Sequence, residues 1–160
     1  MIVRLSKSAL VAAVAFFATL VAFGNVTDYG TNFAFVRHVL LMDTIFPDST
    51  IAYRAVSSPT LHHAAYAAII AAQTLTAVLC WAGVYAMLSH SGAAAAAFNR
   101  SKRWAVAGLT VGFLLWQVGF MSIGGEWFAM WQSQTWNGQG SAHIFLTMIG
   151  FVLVYVSMRE

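Results

Sequence analysis

Four long apolar stretches divide this chain and limit what it can fold into. They run from Ser8 to Gly24, from Ala64 to Leu88, from Trp104 to Gly125 and from Ser141 to Met158, and none contains Asp, Glu, Lys or Arg. A helix rises about 1.5 Å per residue, so roughly 20 such residues cross a hydrocarbon core about 30 Å thick. The pattern therefore predicts four transmembrane helices.

The scarcity of charge supports the same conclusion. Only 8% of the residues are charged, against about 25% in an average soluble domain. We predict a single all-α domain, a four-helix transmembrane bundle with spans at approximately 6–24, 62–88, 104–125 and 141–158. The outer loops would be 25–61 and 126–140, and the cytoplasmic loop 89–103. The basic residues are scattered at span ends, so the net charge of +3 does not predict nucleic-acid binding.

The distribution of basic residues orients the bundle. Four spans place both termini on one side, together with six of the eight basic residues: Arg4, Lys7, Arg100, Lys102, Arg103 and Arg159. Only Arg37 and Arg54 lie on the other side. Cytoplasmic loops carry the excess of Lys and Arg, so we predict that both termini are cytoplasmic.

The first apolar stretch has a second interpretation. Ala22-Phe23-Gly24 has the small-x-small form of a signal-peptide cleavage site. The apolar run is slightly longer than a signal-peptide core of about 7 to 15 residues, which favours an uncleaved membrane helix. N-terminal sequencing of the mature protein distinguishes the two.

A Trp-rich stretch from Gly124 to Gly140 joins the third and fourth spans. It holds half of the chain's six tryptophans, mixed with polar residues and one acid. Indole rings with polar neighbours suit the membrane-water interface, so this stretch predicts an outer cap. Apolar residues recur near helical spacing from Asn32 to Met42, which predicts an amphipathic helix lying on the same surface.

Glu126 is the acid of the Trp-rich stretch. Burying it beneath the cap would cost several kcal/mol without a compensating cation. Arg37 and Arg54 are the only outward cations, so we predict that Glu126 pairs with one of them. Trp127 and Trp131 would share a helical face if the helix continued past Gly125. The candidate ligand-binding residues are Glu126, Trp127, Trp131, Arg37 and Arg54.

The topology also collects histidines at the outer surface. Imidazole and carboxylate groups suit zinc, copper or iron, so the candidate metal ligands are His38, His62, His143 and Glu126. No pair has a dedicated spacing such as H-E-x-x-H, and His62 and His63 point about 100° apart on a helix. A bis-histidine haem would need ligands deeper in the bilayer than these span ends. We therefore predict no cofactor.

The interior of the spans indicates what the protein does not do. Ion-coupled carriers usually need an ionisable group inside the membrane, and the spans offer none at depth. There is no G-x-S-x-G motif and no Gly-rich phosphate loop, so we predict that the chain is not an enzyme. Gln73 and Gln117 are the largest polar side chains at depth. We expect them to hydrogen-bond each other and hold two helices together, and the alternative is a ligand site at these amides.

Two segments carry a resemblance to known sequences. The first runs from Asn25 to Pro47 and includes Phe35-Val36-Arg37-His38-Val39-Leu40 and Met42-Asp43-Thr44. The second comprises Gly124-Gly125-Glu126-Trp127-Phe128, Met130-Trp131-Gln132-Ser133 and Trp136-Asn137-Gly138-Gln139. They look like a bacterial family of predicted small integral membrane proteins of unknown function. The resemblance runs over nearly the whole chain, and it implies four membrane helices and a bacterial inner-membrane location. It implies no activity, substrate or site residue.

Together these features favour a non-enzymatic inner-membrane protein that acts through partners. It would be an accessory subunit of a larger membrane complex or a homo-oligomer, because the alanine-rich face of the second span suits close helix packing. The alternative is an outer-face binding module for a small ligand, lipid, quinone or metal. Reproducible stoichiometric partners in native membranes would favour the first, and a retained ligand without partners the second.

Overall fold

The computed structural model describes residues 1–160 and contains helices without any strand. The α-helices are α1 (Ile2–Thr27), α2 (Tyr29–Leu41), α3 (Pro59–Ser89), α4 (Ala95–Ser101), α5 (Arg103–Leu114) and α6 (Gln139–Ser157). Short 3₁₀ turns lie at Ala52–Arg54 and Met130–Gln132. Four helical segments are long and apolar enough to cross a membrane: Ile2–Thr27, Pro59–Ser89, Ala95–Trp127 and Gln139–Ser157. The predicted all-α bundle of four membrane-length helices is confirmed.

The third of these segments changes its helical form along its length. After α5 the chain continues as a π-helix over Leu115–Trp127. The backbone N–H of Phe128 then donates to the carbonyl of Ile123, five residues back, at 3.0 Å. π-helices normally appear as single-turn bulges and often mark functional sites. This longer π-helix lines the cavities described below.

Small residues let α3 and α5 approach closely. A Cβ placed on Gly83 would lie 2.5 Å from the backbone nitrogen of Ala105, and one on Gly108 would lie 2.8 Å from the backbone nitrogen of Cys80. Ala105 and Cys80 are fully buried. Without room for a methyl group, this helix pair depends on glycine at both positions.

The bundle has two chemically different ends. The termini meet at one end, where Arg4 Nε donates to a carboxylate oxygen of Glu160 at 2.8 Å. We call this the basic end, and it comprises Arg4, Lys7 and residues 89–103 and 158–160. The opposite, capped end is formed by α2, by residues 42–58, which we call the capped-end loop, and by the Trp-rich stretch.

Candidate functional site

Each tryptophan of the Trp-rich stretch contacts a different part of the capped end. The guanidinium of Arg54 lies over the ring of Trp127, 4.7 Å from its centroid, and Nη1 donates to the Trp127 carbonyl at 3.2 Å. The two other pairs are ring contacts, Phe46 edge-on to Trp131 at 5.8 Å and His38 stacked on Trp136 at 4.6 Å. The stretch therefore fastens to the capped-end loop and to α2.

Hydrogen bonds and apolar packing complete this closure. Thr44 Oγ1 lies 2.8 Å from Ser133 Oγ, and the backbone N–H of Phe46 donates to the side chain of Gln132 at 3.1 Å. Ala129 adopts a left-handed conformation, with φ of 50°, where the chain leaves the π-helix. This turn directs Met130 into a buried cluster with Val39, Met42, Phe128 and Ala129. The cap therefore has its own small core.

The predicted ion pair of Glu126 is not formed. Glu126 is exposed and has neither a salt bridge nor a hydrogen bond, and Arg37 is also exposed and unpaired. An exposed carboxylate keeps its hydration and gains little from a surface partner. The arginine of the first outer loop does reach the Trp-rich stretch, as expected, but Arg54 contacts the indole and carbonyl of Trp127 instead of the carboxylate.

Trp127 and Trp131 do not lie on one continuous helix. The turn at Ala129 separates the π-helix from the 3₁₀ turn that carries Trp131. Both indoles are about half exposed, at 53% and 48%. The condition for a shared helical face is not met, and the two rings contact different partners.

The four candidate metal ligands lie in separate environments. His38 Nδ1 is 2.7 Å from a carboxylate oxygen of Asp43, and buried His62 bonds the Val56 carbonyl through Nε2 at 2.7 Å. His143 and Glu126 are exposed. No three His, Cys, Asp or Glu side chains gather into a group that could hold a metal ion. The structure assigns His38 and His62 contacts within the cap.

A cavity of about 270 Å³ lies beneath the cap, between α1, α2, α3, the π-helix and α6. Its walls combine aromatic rings with uncharged polar groups: Val21, Asn25, Asn32, Phe35, Val36, Tyr66, Ile69, Gln73, Trp116, Phe120, Gly138, Ser141 and Phe145. We call it the Gln73 cavity. Gln73 is 1% exposed, and its Nε2 has no hydrogen-bond partner.

The expected bond between Gln73 and Gln117 is not formed. Gln117 does not line the Gln73 cavity, and neither glutamine side chain makes a hydrogen bond. The π-helix contributes to this outcome, because its wider turn displaces residues from the positions that α-helical spacing predicts. The Tyr66 hydroxyl, by contrast, is satisfied, since it donates to the backbone carbonyl of Asn25 at 2.9 Å.

A second cavity of about 260 Å³ adjoins the first and is almost wholly apolar. The two share the wall residues Phe35, Val36, Ile69 and Phe120. The rings of Phe35 and Phe120 are 6.3 Å apart and nearly parallel. We call this second space the apolar cavity. It is adjacent to the Gln73 cavity across these four shared wall residues.

Sequence reasoning missed most of the residues around the Gln73 cavity. Asn25, Tyr66 and Trp116 come from three different helices, and no local spacing links them. The one available signal was an amide in the middle of an apolar span. That signal identified Gln73 but assigned it the wrong neighbour.

Comparison with known proteins identifies the family. Residues 3–159 match the family model described as predicted small integral membrane protein (DUF2165). The chain belongs to this family. Comparison with curated proteins and with solved structures gives no match. Membership, with four membrane-length helices, establishes a multi-pass integral membrane protein and confirms the resemblance noted in the sequence.

Proposed function

We propose that this protein is a non-enzymatic membrane protein that binds a small, neutral, lipid-soluble molecule in the Gln73 cavity. The observation that carries the proposal is the buried, unpartnered amide of Gln73 in an aromatic-walled space. A buried donor without an acceptor costs about 1–3 kcal/mol. A carbonyl oxygen of a bound molecule would satisfy it.

The walls of the cavity define the chemical class of the ligand. No charged side chain lines it, which favours a neutral molecule. The rings of Trp116 and Phe120 are 4.6 Å apart, and those of Trp116 and Phe145 are 4.8 Å apart. Such walls suit a planar ring. A ring that carries carbonyl groups, as in a quinone, combines both requirements.

A route into the cavity passes through the apolar cavity. Ala68 and Ile123, which line it, are exposed on the outside of the bundle, where the surrounding medium is lipid. An apolar tail could occupy this space while the ring sits beyond the partition formed by Phe35 and Phe120. This arrangement fits a molecule that arrives from the membrane.

Retention of the ligand through purification tests the proposal. Protein taken from native membranes in mild detergent would be extracted with organic solvent, and the extract analysed by mass spectrometry. We expect a neutral, carbonyl-bearing compound in stoichiometric amount with the wild type and with Gln117→Leu, the control glutamine outside the cavity. Gln73→Leu should retain less of the compound, because the loss of one hydrogen bond weakens binding by about tenfold.

A binding assay with a short-chain benzoquinone tests the same site directly. Quinones quench indole fluorescence at short range, so saturable quenching should require Trp116, the tryptophan within the cavity. Trp116→Phe should abolish that component. A wild type that carries only bulk lipid and shows no saturable quenching would overturn the proposal and would favour water in the cavity.

A second candidate function, association with another membrane protein or with a second copy, rests on the outward face of α3. Ala64, Ala67, Ala68 and Ala71 recur at helical spacing and are exposed. Small residues on a membrane-facing helix permit close approach by a partner helix. Stoichiometric co-purification, lost on Ala67→Phe and Ala71→Phe substitution but kept on Val154→Phe, would favour this function.

The proposed location is a bacterial inner membrane with both termini cytoplasmic. The concentration of six basic residues at the basic end supports this orientation. Reporter fusions test it: green fluorescent protein at the C-terminus should fluoresce, whereas alkaline phosphatase there should be inactive. The opposite pattern would invert the orientation.

A further inference from the structure

The basic end contains a groove that the proposed function does not use. It measures about 940 Å³ and lies between α4, the start of α5 and the residues after α6. Four cationic side chains line it, Arg100, Lys102, Arg103 and Arg159, together with one carboxylate, Glu160. We call it the basic groove.

The side-chain carboxylate of Glu160 in the basic groove is already engaged. Arg4 Nη2 lies 2.7 Å from Glu160, so that ion pair uses the local negative charge. Arg100, Arg103 and Arg159 form no salt bridge and donate no hydrogen bond. The groove therefore carries an excess of positive charge.

Lys102 makes the groove more than a set of surface charges. Its side chain is 3% exposed, and its Nζ donates to the Asn99 side chain at 2.7 Å and to the Met158 carbonyl at 2.9 Å. Lys7 Nζ donates to the same carbonyl at 2.6 Å. Two ammonium groups thus share one neutral acceptor, an arrangement that a nearby anion would stabilise.

We propose that the basic groove binds the phosphate of an anionic phospholipid. Guanidinium groups bind phosphate oxygens through paired hydrogen bonds, and basic pockets beside membrane helices suit anionic headgroups. Ala96 and Val106 provide apolar lining, and the neighbouring Trp104, against which Arg103 stacks at 5.1 Å, is 43% exposed. An interfacial tryptophan beside the groove places it at headgroup depth, where acyl chains can follow α5 into the membrane.

A phospholipid without net charge fits the basic groove less well. The choline of a zwitterionic lipid would bring another cation into a site that already has too many. Free phosphate has the right charge but would leave the apolar lining unused. The inference is independent of the Gln73 cavity, which lies toward the other end of the bundle.

Lipid titrations followed by native mass spectrometry test the proposal. The full chain in detergent would be titrated with phosphatidylglycerol, with phosphatidylcholine and with inorganic phosphate. We expect phosphatidylglycerol to bind at least about tenfold more tightly than phosphatidylcholine. Replacing Arg100, Arg103 and Arg159 by Gln should weaken it by about fivefold for each arginine.

Arg37→Gln is the matched control, because Arg37 is exposed and unpaired at the capped end. It should leave phosphatidylglycerol binding unchanged. Equal affinity for both lipids, equal loss in Arg37→Gln, or displacement of the lipid by equimolar inorganic phosphate would each overturn the proposal. Circular dichroism of the triple variant, expected to match the wild type, shows that lost binding is not lost folding.

Discussion

The helices pack against one another differently in the two halves of this bundle. Toward the basic end, glycines bring α3 and α5 into contact with no space for a methyl group. Toward the capped end, aromatic rings hold the helices apart around two cavities of about 260 and 270 Å³. Protein interiors are normally close-packed, so these two aromatic-walled spaces between the helices are a local property of the capped half, distinct from the charged groove at the basic end. The comparison shows direct contact between α3 and α5 in the basic half and space between the helices in the capped half.

Charged side chains at the two ends also have different partners. At the basic end Lys102 donates to the backbone carbonyl of Met158, and Arg4 pairs with the side-chain carboxylate of Glu160. At the capped end Arg54 lies over the Trp127 ring and has no carboxylate partner, although cations lie over rings at the basic end as well, as Arg103 does over Trp104. A cation on an indole needs no counter-ion. This explains how the cap closes while Glu126 stays in solvent.

The largest expected effect comes from adding a methyl group between α3 and α5 in the basic half. Gly83→Ala would place a Cβ 2.5 Å from the backbone of Ala105, which cannot move without shifting α5. We expect a loss of about 1–3 kcal/mol in unfolding free energy, or more if α5 is displaced. The measurement is denaturation in detergent followed by circular dichroism.

Gly24→Ala is the control for this prediction. Gly24 is also a helical glycine, but no neighbouring atom lies within 4 Å of the position that an alanine Cβ would take there. Alanine should there be neutral or stabilising by about 0.5–1 kcal/mol, because it favours the helix. Equal effects at the two glycines would show that the helices do not pack more closely at Gly83 in the basic half than at Gly24 in the capped half.

The sequence predicted the helices of the bundle better than the cavities of the capped half, for a physical reason. Membrane helices follow from the length and polarity of contiguous residues, and so does the exclusion of charge from them. The surface helix followed from periodicity, although it begins at Tyr29 instead of Asn32. A cavity depends on residues such as Asn25, Gln73 and Trp116, which meet only after the helices pack.

The cap shows where charge arguments from sequence reach their limit. The expectation that an arginine joins the first outer loop to the Trp-rich stretch was correct for Arg54. The choice of Glu126 as its partner was wrong, because it assumed a buried carboxylate. How deeply a side chain such as Glu126 is buried at this helix end depends on the π-helix and on the left-handed Ala129. Residue spacing reveals neither feature.

The second prediction concerns the stability cost of the Gln73 cavity in the capped half. Gln73→Leu should raise the stability of the ligand-free protein by about 1 kcal/mol, because it removes an unsatisfied buried donor and keeps a similar volume. The same variant should no longer be stabilised by a benzoquinone. Thermal unfolding with and without the quinone measures both effects. If Gln73→Leu is less stable than wild type without ligand, the amide has a structural partner and the proposed site is lost.

A smaller effect is expected at the contact between Arg54 and Trp127 at the capped end. Arg54→Gln removes the guanidinium of this half-buried arginine from the Trp127 ring and should cost about 0.5–1 kcal/mol, a usual value for a cation on an aromatic ring near the protein surface. Loosening should appear as faster hydrogen exchange in residues 42–58 and 126–138. Arg37→Gln, which removes an unpaired arginine from the same end, should change neither quantity. An equal response to both would indicate a general charge effect instead of a specific contact.

The smallest effect should be a pH dependence at the basic end. The hydrogen bond from Arg4 lowers the pKa of Glu160 below its usual value. The stabilisation from this contact is therefore fully present above the unfolded-state pKa of a glutamate, and it disappears as the pH falls through the lowered pKa. Wild type should have a slightly higher Tm than Glu160→Gln at pH 7, and the difference should shrink as the pH falls below the usual range of a glutamate. Glu126→Gln is the matched control at the capped end, because Glu126 is exposed without a partner and should give no such pH-dependent difference. A constant gap between wild type and Glu160→Gln as the pH falls would show that the contact acts without its charge, and the contrast between the paired Glu160 and the unpaired Glu126 would then fail.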